Sequence, residues 1–266
     1  MKQTLADDFS KNFDVVAANA TETLDEAYSL RYQVYCVEHD YEDATRFPDQ
    51  KEVDAYDQRS AHSIVRHRPS GITASAVRLV LPDKMNRKAL FPIEEHCASS
   101  FKSADLDWDS LPRDSIAEIS RFAVSKSFKR RLKEPKKPVA GAAENTDTPA
   151  DSGSGGALHA AHLTLGLFAG IVRMSAEHGI THWYAVMEPA LLRLLSRFGI
   201  ELTHISKPVK YHGYRQPCYA AIDEVLAGIW RKAPDVWKLI TDNGDTWPAP
   251  EERRRKPRGE PAITIN

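Results

Sequence analysis

AEISRFAVS, residues 117–125, sets a glutamate, a serine and an arginine inside an otherwise apolar run. The run reads as a strand. Alternation puts Glu118 and Ser120 on one face and Ile119 and Arg121 on the other, and a bulge between them would alter that pattern. A carboxylate on a partly apolar strand has its pKa raised and suits a general base. The plainer reading is a structural salt bridge from Glu118 to Arg31 or Arg78. HWYAVM (182–187) reads as a further strand.

Outward from this pair, the same logic assigns the rest of the chain. FDVVAA (13–18) is a short strand, and TETLDEAYSLRYQVYCVE (21–38) is a helix with Thr21 as its cap. Residues 39–60 form a polar loop carrying EVDAYD. HSIVRHR and ITASAVRLVLP are two strands joined by a Pro-Ser-Gly turn, and a short helix is expected around Phe91–Cys97. A helix runs from Ala157 to about His178, PALLRLLSRFG is a helix closed by Gly199, IELTHI and QPCYAAID are strands, and a short helix follows. The order predicts an α/β (α+β) fold, a mixed central β-sheet flanked by helices.

The 266 residues suit one domain over 1–230, with a C-terminal helix and a loose basic tail at 231–266. A strongly basic stretch ends at Pro138, residues 139–156 are small and polar, and a disordered insertion is expected over 133–156. The formal net charge is -1. With no nucleic-acid-reading motif, that charge argues against nucleic acid as a partner. Cys36, Cys97 and Cys218 form an odd, sparse set that fits a reducing, cytoplasmic setting rather than a disulfide framework. The longest apolar run, LTLGLFAGIV, is too short to span a bilayer, which leaves peripheral membrane contact open.

Arg31 sits beside the apolar stripe of its helix, three residues from Tyr28 and four from Tyr35. A guanidinium facing a core needs a carboxylate, and the following loop offers Glu52, Asp54 and Asp57. Arg78 lies mid-strand between apolar neighbours and needs a partner for the same reason. Phe122, Val124, Trp183 and Val186 could line an apolar slot, although ordinary core packing is the plainer reading for any one of them. The pairs His159/His162 and His178/His182 have no third ligand at a metal-binding spacing.

The order LRYQVYCVE, EVDAYD, AVRLVLP, EISRFAV resembles the acyl-homoserine-lactone (autoinducer) synthases. It is more similar still to the acyltransferases of the exosortase/PEP-CTERM system, which are themselves similar to N-acyl amino acid synthases. For that group the likeness extends through ITHWYAVMEPALLRLLSRFGI and YHGYRQPCYA. The resemblance implies a GNAT-like acyl-CoA N-acyltransferase fold, in which AEISRFAV and HWYAVM would be two parallel strands that splay apart. It also implies transfer of a fatty acyl group from a thioester to an amine. The donor would be acyl carrier protein (or acyl-CoA), the acceptor a small-molecule amine such as an amino acid, with no tightly bound cofactor and no metal. Motif matching carries the family's charged cleft onto Arg31, Asp54, Asp57, Arg78, Glu118 and Arg121, and its helix aromatic onto Tyr35. Where the synthases carry a tryptophan shortly after that aromatic, this chain offers Tyr41 or Phe47.

On this reading Glu118, Arg31 and Arg121 are the expected catalytic residues. Tyr35, Asp54, Asp57, Arg78, Ser120, Phe122, Val124 and Trp183 are the expected substrate-binding ones. Arg31 or Arg78 would pair with the acceptor's carboxylate. The basic run from Lys126 to Lys137 would suit coenzyme phosphates or an acidic carrier protein. A non-catalytic acyl- or carrier-binding module is the alternative.

Overall fold

A computed structural model describes residues 4–97, 112–133, 154–210 and 213–250. Its core is an eight-stranded mixed sheet. Helix α1 (Leu5–Asn12) leads into β1 (Phe13–Ala17), followed by α2 (Thr21–Tyr32). Strands β2 (Ser60–His67) and β3 (Thr73–Val80) form a hairpin whose turn is closed by Gly71 at φ 66°. Next come α3 (Pro92–His96), β4 (Ile116–Val124), α4 (Lys126–Lys133) and α5 (Ser154–Glu177). Strand β5 (His182–Met187) precedes α6 (Pro189–Ser196). Short strands β6 (Thr203–His204) and β7 (Val209–Lys210) both pair with β8 (Tyr214–Ala221), which leads to α7 (Ile222–Lys232) and α8 (Pro234–Thr241).

The sheet order is β1-β2-β3-β4-β5-β8-β6, antiparallel except for the parallel pair β4–β5. Alternation sorts its side chains between two layers. Ile64, Ala76 and Ala123 pack with Ala27, Leu30 and Val34 under α2. Val65, Val77, Leu79, Ala117 and Ile119 pack with Leu163, Leu167 and Phe168 of α5 on the other face. Each of the larger ones, Ile64, Leu79 or Phe168 for example, contributes roughly 1.5–3 kcal/mol against the exposed state. Gly166 and Gly170 let α5 settle close to the sheet and α1. A Cβ on Gly170 would stand 2.3 Å from Ser63 Oγ, and one on Gly166 would stand 2.7 Å from the Phe9 ring.

Several boundaries differ from the sequence expectation. The helix after β1 is α-helical only to Tyr32, and Gln33–Glu38 forms a wider π turn. Its cap position is Ala20 rather than Thr21, with the Thr23 hydroxyl accepting from the Ala20 N–H at 3.3 Å. IELTHI forms only a two-residue strand. Most of the expected insertion at 133–156 lies outside the described residues, but its edges are helical: α4 reaches Lys133 and α5 begins at Ser154. The expected loose tail lies outside the described residues from 251 onward. Among the described residues no helix is long and apolar enough to cross a membrane.

Candidate active site

Strands β4 and β5 pair from Ile116–His182 to Ile119–Ala185 and no further. Both strands continue, to Val124 and Met187, so they part beyond Ile119. The cause is visible in β4. Opposite β3 the register jumps from Ser120–Arg78 to Ala123–Ala76, which is a β-bulge. Arg121 sits in that bulge at φ 50°. A non-glycine residue there costs on the order of 1–3 kcal/mol, which the surroundings must offset. They do so with acids. Arg121 Nη2 lies 2.9 Å from Glu52, 3.0 Å from Asp54 and 3.3 Å from Glu42, and its guanidinium stacks 5.1 Å from the Tyr35 ring centroid.

The bulge corrects the alternation read from the sequence. Arg121 turns to the same side as Ser120 and joins one charge network. Arg31 Nε donates to Glu52 at 2.6 Å, and its two terminal nitrogens grip Asp57 at 2.7 and 3.0 Å. Arg78 donates to Asp54 at 2.5 Å, Asp57 at 3.0 Å and Ser120 Oγ at 3.1 Å. Arg31 and Arg78 are completely buried. Burial alone would push the Glu52 and Asp57 carboxyls up, yet the guanidiniums more than offset it. Glu52 falls to about 2 under Arg31 and Arg121, and Asp57 drops well below its ordinary range under Arg31 and Arg78. His62 stands against this network, with Nε2 3.5 Å from Asp57; burial and then Arg31 lower it to about 4.

The parting of β4 and β5 opens a cavity of about 380 Å³. Tyr35, Glu118, Ser120, Arg121, Phe122 and Val124, all expected from the sequence, line it. Val186 and Tyr41 do too. Arg31, Asp54, Asp57 and Arg78 stand behind its wall, holding Arg121 and Ser120. Trp183 lies in the core instead, where its indole donates to Ser175 Oγ at 2.9 Å. Phe47 is buried and is not part of the lining.

Glu118 accepts from the Ile93 N–H at the start of α3 at 2.8 Å, and no ion pair to Arg31 or Arg78 forms. Burial raises its carboxyl to about 8, against the lowering effects of that N–H and of Arg78. The sequence had not singled out Thr164, Glu188, Leu191, Leu194 or Arg215, which also line the cavity. Met187, Leu191 and Leu194 cluster at the C-terminal end of β5 and on α6, a segment that reads only as an amphipathic helix. Glu38, also not singled out, ends the π turn and accepts from the Lys126 and Ser127 N–H groups at 2.9 and 3.2 Å, which closes the first turn of α4.

Cys36, Cys97 and Cys218 are free and buried. Burial raises their thiols, to about 11 for Cys36 and Cys97 and about 12 for Cys218, so none is primed as a nucleophile. Among the described residues no group of His, Cys, Asp and Glu has metal-holding geometry.

Residues 30–134 match the family described as acetyltransferase (GNAT) domain. The match begins at the C-terminal end of α2 and takes in the charge network and β4. A search of curated proteins finds no match. Among solved structures the chain is similar to the AHL synthase LasI, with TM-score 0.55 and 14% identity over 83% of this chain and 95% of that one. It is similar to the CoA-dependent acyl-homoserine lactone synthase BjaI (TM-score 0.53, 16% identity, 90% of each chain covered). It is also similar to FeeM, an N-acyl amino acid synthase from uncultured soil microbes (TM-score 0.51, 11% identity, 81% and 93% covered). At these identities the likeness is one of fold: this is a GNAT-like chain with its sheet split at β4–β5.

Proposed function

We propose that this GNAT-type acyltransferase moves a fatty acyl group from a carrier-protein thioester to the amine of an amino acid. The observation that carries the reading is the split between β4 and β5. It places a buried carboxylate of raised pKa, Glu118, in one cavity with the apolar side chains of Phe122, Met187, Leu191 and Leu194.

The acceptor's ammonium gives a proton to Glu118. The freed amine nitrogen attacks the thioester carbonyl carbon, and the carbonyl electrons move onto oxygen. Backbone amides of β4 released by the split stabilise that oxyanion. The C–S bond then breaks, the amide forms, and the thiolate leaves and takes up the second proton of the attacking nitrogen. Arg31 and Arg78 act as positioning residues, because they hold the acids that hold Arg121 in its bulge.

The choice of carrier protein over acyl-CoA is supported by Glu38. Its carboxylate already occupies the amides at the start of α4, where an anionic coenzyme would otherwise find donors. The basic run at 126–137, part of which lies outside the described residues, suits an acidic carrier. The exosortase/PEP-CTERM setting rests on the sequence resemblance alone, and the cytoplasmic setting on the odd, free cysteines.

Incubation with carrier-protein thioesters of several chain lengths and a pool of amino acids is expected to release thiol and an acyl amide. Saturable acyl binding with no thiol release at any length would make the chain a binding module instead.

A further inference from the structure

The two guanidiniums expected to read an acceptor carboxylate, Arg31 and Arg78, are committed to Glu52, Asp54 and Asp57 and lie behind the cavity wall. Arg121 reaches the cavity but is held by Glu52, Asp54 and Glu42. A third guanidinium lines the cavity. Arg215 comes from β8 and lies on the Glu118 face of the sheet, as the register shows. Glu118 is opposite Tyr184, and Tyr184 is opposite Tyr219. Tyr219, Pro217 and Arg215 then share one face by alternation.

Arg215 crosses to the mouth of the cavity, where its guanidinium stacks 5.5 Å from the Tyr41 ring centroid. Tyr41 in turn lies 6.1 Å from Tyr35. The Arg215 Nη1 atom is 2.9 Å from Glu188 Oε1. The two partners differ in exposure: the Glu188 side chain is 47% exposed and that of Arg215 is 16% exposed. Glu188 occupies the cap position of α6 yet makes no capping hydrogen bond, because its carboxylate is turned to Arg215. An ion pair with so exposed a partner is worth little and exchanges readily with a competing anion. The buried pairs of Arg31 and Arg78 do not share that property.

We propose that Arg215 and Glu188 are the pair that selects an α-amino acid as acceptor, with Arg215 taking its carboxylate and Glu188 its ammonium. This rests on the acyl-transfer reading and adds to it. An adjacent cation and anion on one rim match a zwitterion whose charges are separated by one carbon. The planar guanidinium, fixed against Tyr41, offers a fork that fits a carboxylate. The ammonium then lies at the mouth of the cavity that Glu118 lines. A phosphate on the donor's pantetheine arm is the other anion such a guanidinium would accept, and the test separates the two.

Thiol release from a carrier-protein thioester is measured with four amino acids (glycine, leucine, phenylalanine, tyrosine) and their decarboxylated counterparts (methylamine, isoamylamine, phenethylamine, tyramine). Wild type is expected to favour one of the amino acids over its amine by about 100-fold in kcat/KM, since a site built for a charged partner penalises its loss. Arg215→Ala should cut that preference to a few-fold by raising the amino acid KM about 30-fold or more, with the donor KM unchanged. Arg215→Lys should fall between. In parallel, the preferred amino acid should raise the thermal midpoint of wild type and not of Arg215→Ala, a readout that needs no turnover.

An undiminished amino-acid preference in Arg215→Ala overturns the proposal, as does a change confined to the donor KM. Thiol release from no acceptor at all defeats the acyl-transfer reading. In that case the thermal shift still decides whether Arg215 binds the amino acid.

Discussion

Glu118 and Glu52 are two glutamates near the same bulge whose carboxyls are shifted in opposite directions by their surroundings. Glu118 is buried with one backbone N–H as its close partner, and burial dominates. Glu52 is equally buried but lies between two guanidiniums. The first is suited to move protons and the second to stay charged. Glu118→Gln should therefore lower kcat by roughly 10²–10⁴-fold while circular dichroism stays native. The wild-type kcat/KM should rise with pH and level off above about 8, because the base must be ionised. Glu52→Gln should instead cost about 3 kcal/mol of stability by denaturant unfolding at neutral pH, as it leaves Arg31 and Arg121 short of buried charge. The chain offered Glu118 as a base and Glu52 as a partner for Arg31, but it equally allowed a salt bridge from Glu118 to Arg31 or Arg78, and only the positions of the arginines decide against that pairing.

At the scale of elements, the site is made by a departure from regularity. The period of β4 and β5 was legible in AEISRFAVS and HWYAVM, whereas their splaying was implied only by the family resemblance. The bulge was not, because nothing in Ser120-Arg121-Phe122 marks a positive φ. The π turn after α2 is equally silent in sequence, yet it presents Tyr35 to the cavity and delivers Glu38 to α4. The helices that frame the site are held by close approach. Gly228 of α7 meets Gly199 at the end of α6, and a Cβ on Gly228 would stand 2.6 Å from the Gly199 carbonyl oxygen. A backbone atom cannot swing aside. Gly228→Ala is expected to cost about 1–3 kcal/mol in chemical denaturation, with α6 shifting against the cavity.

Over the whole molecule these groups set a pH window. Glu52 and Asp57 have lowered folded pKa values, so their stabilisation is present above the ordinary carboxylate range. It is lost as pH falls, towards about 2 for Glu52. Glu118 has a raised one, so its share is present below the ordinary glutamate value and is lost as pH rises through about 8. Stability should peak between these limits, and the gap between Glu118→Gln and wild type should shift in the mutant's favour from pH 6 to pH 9. Denaturant midpoints at the two pH values check the sign.

The chain alone determined the sheet-and-helix layout and the charged residues that must find partners, because hydrophobic period and the cost of burying a charge are local properties. Tertiary structure alone decided that Arg31 and Arg78 support the wall while Arg215 reaches the mouth. Which acid a guanidinium meets depends on contacts between residues far apart in sequence, and no local pattern encodes that choice.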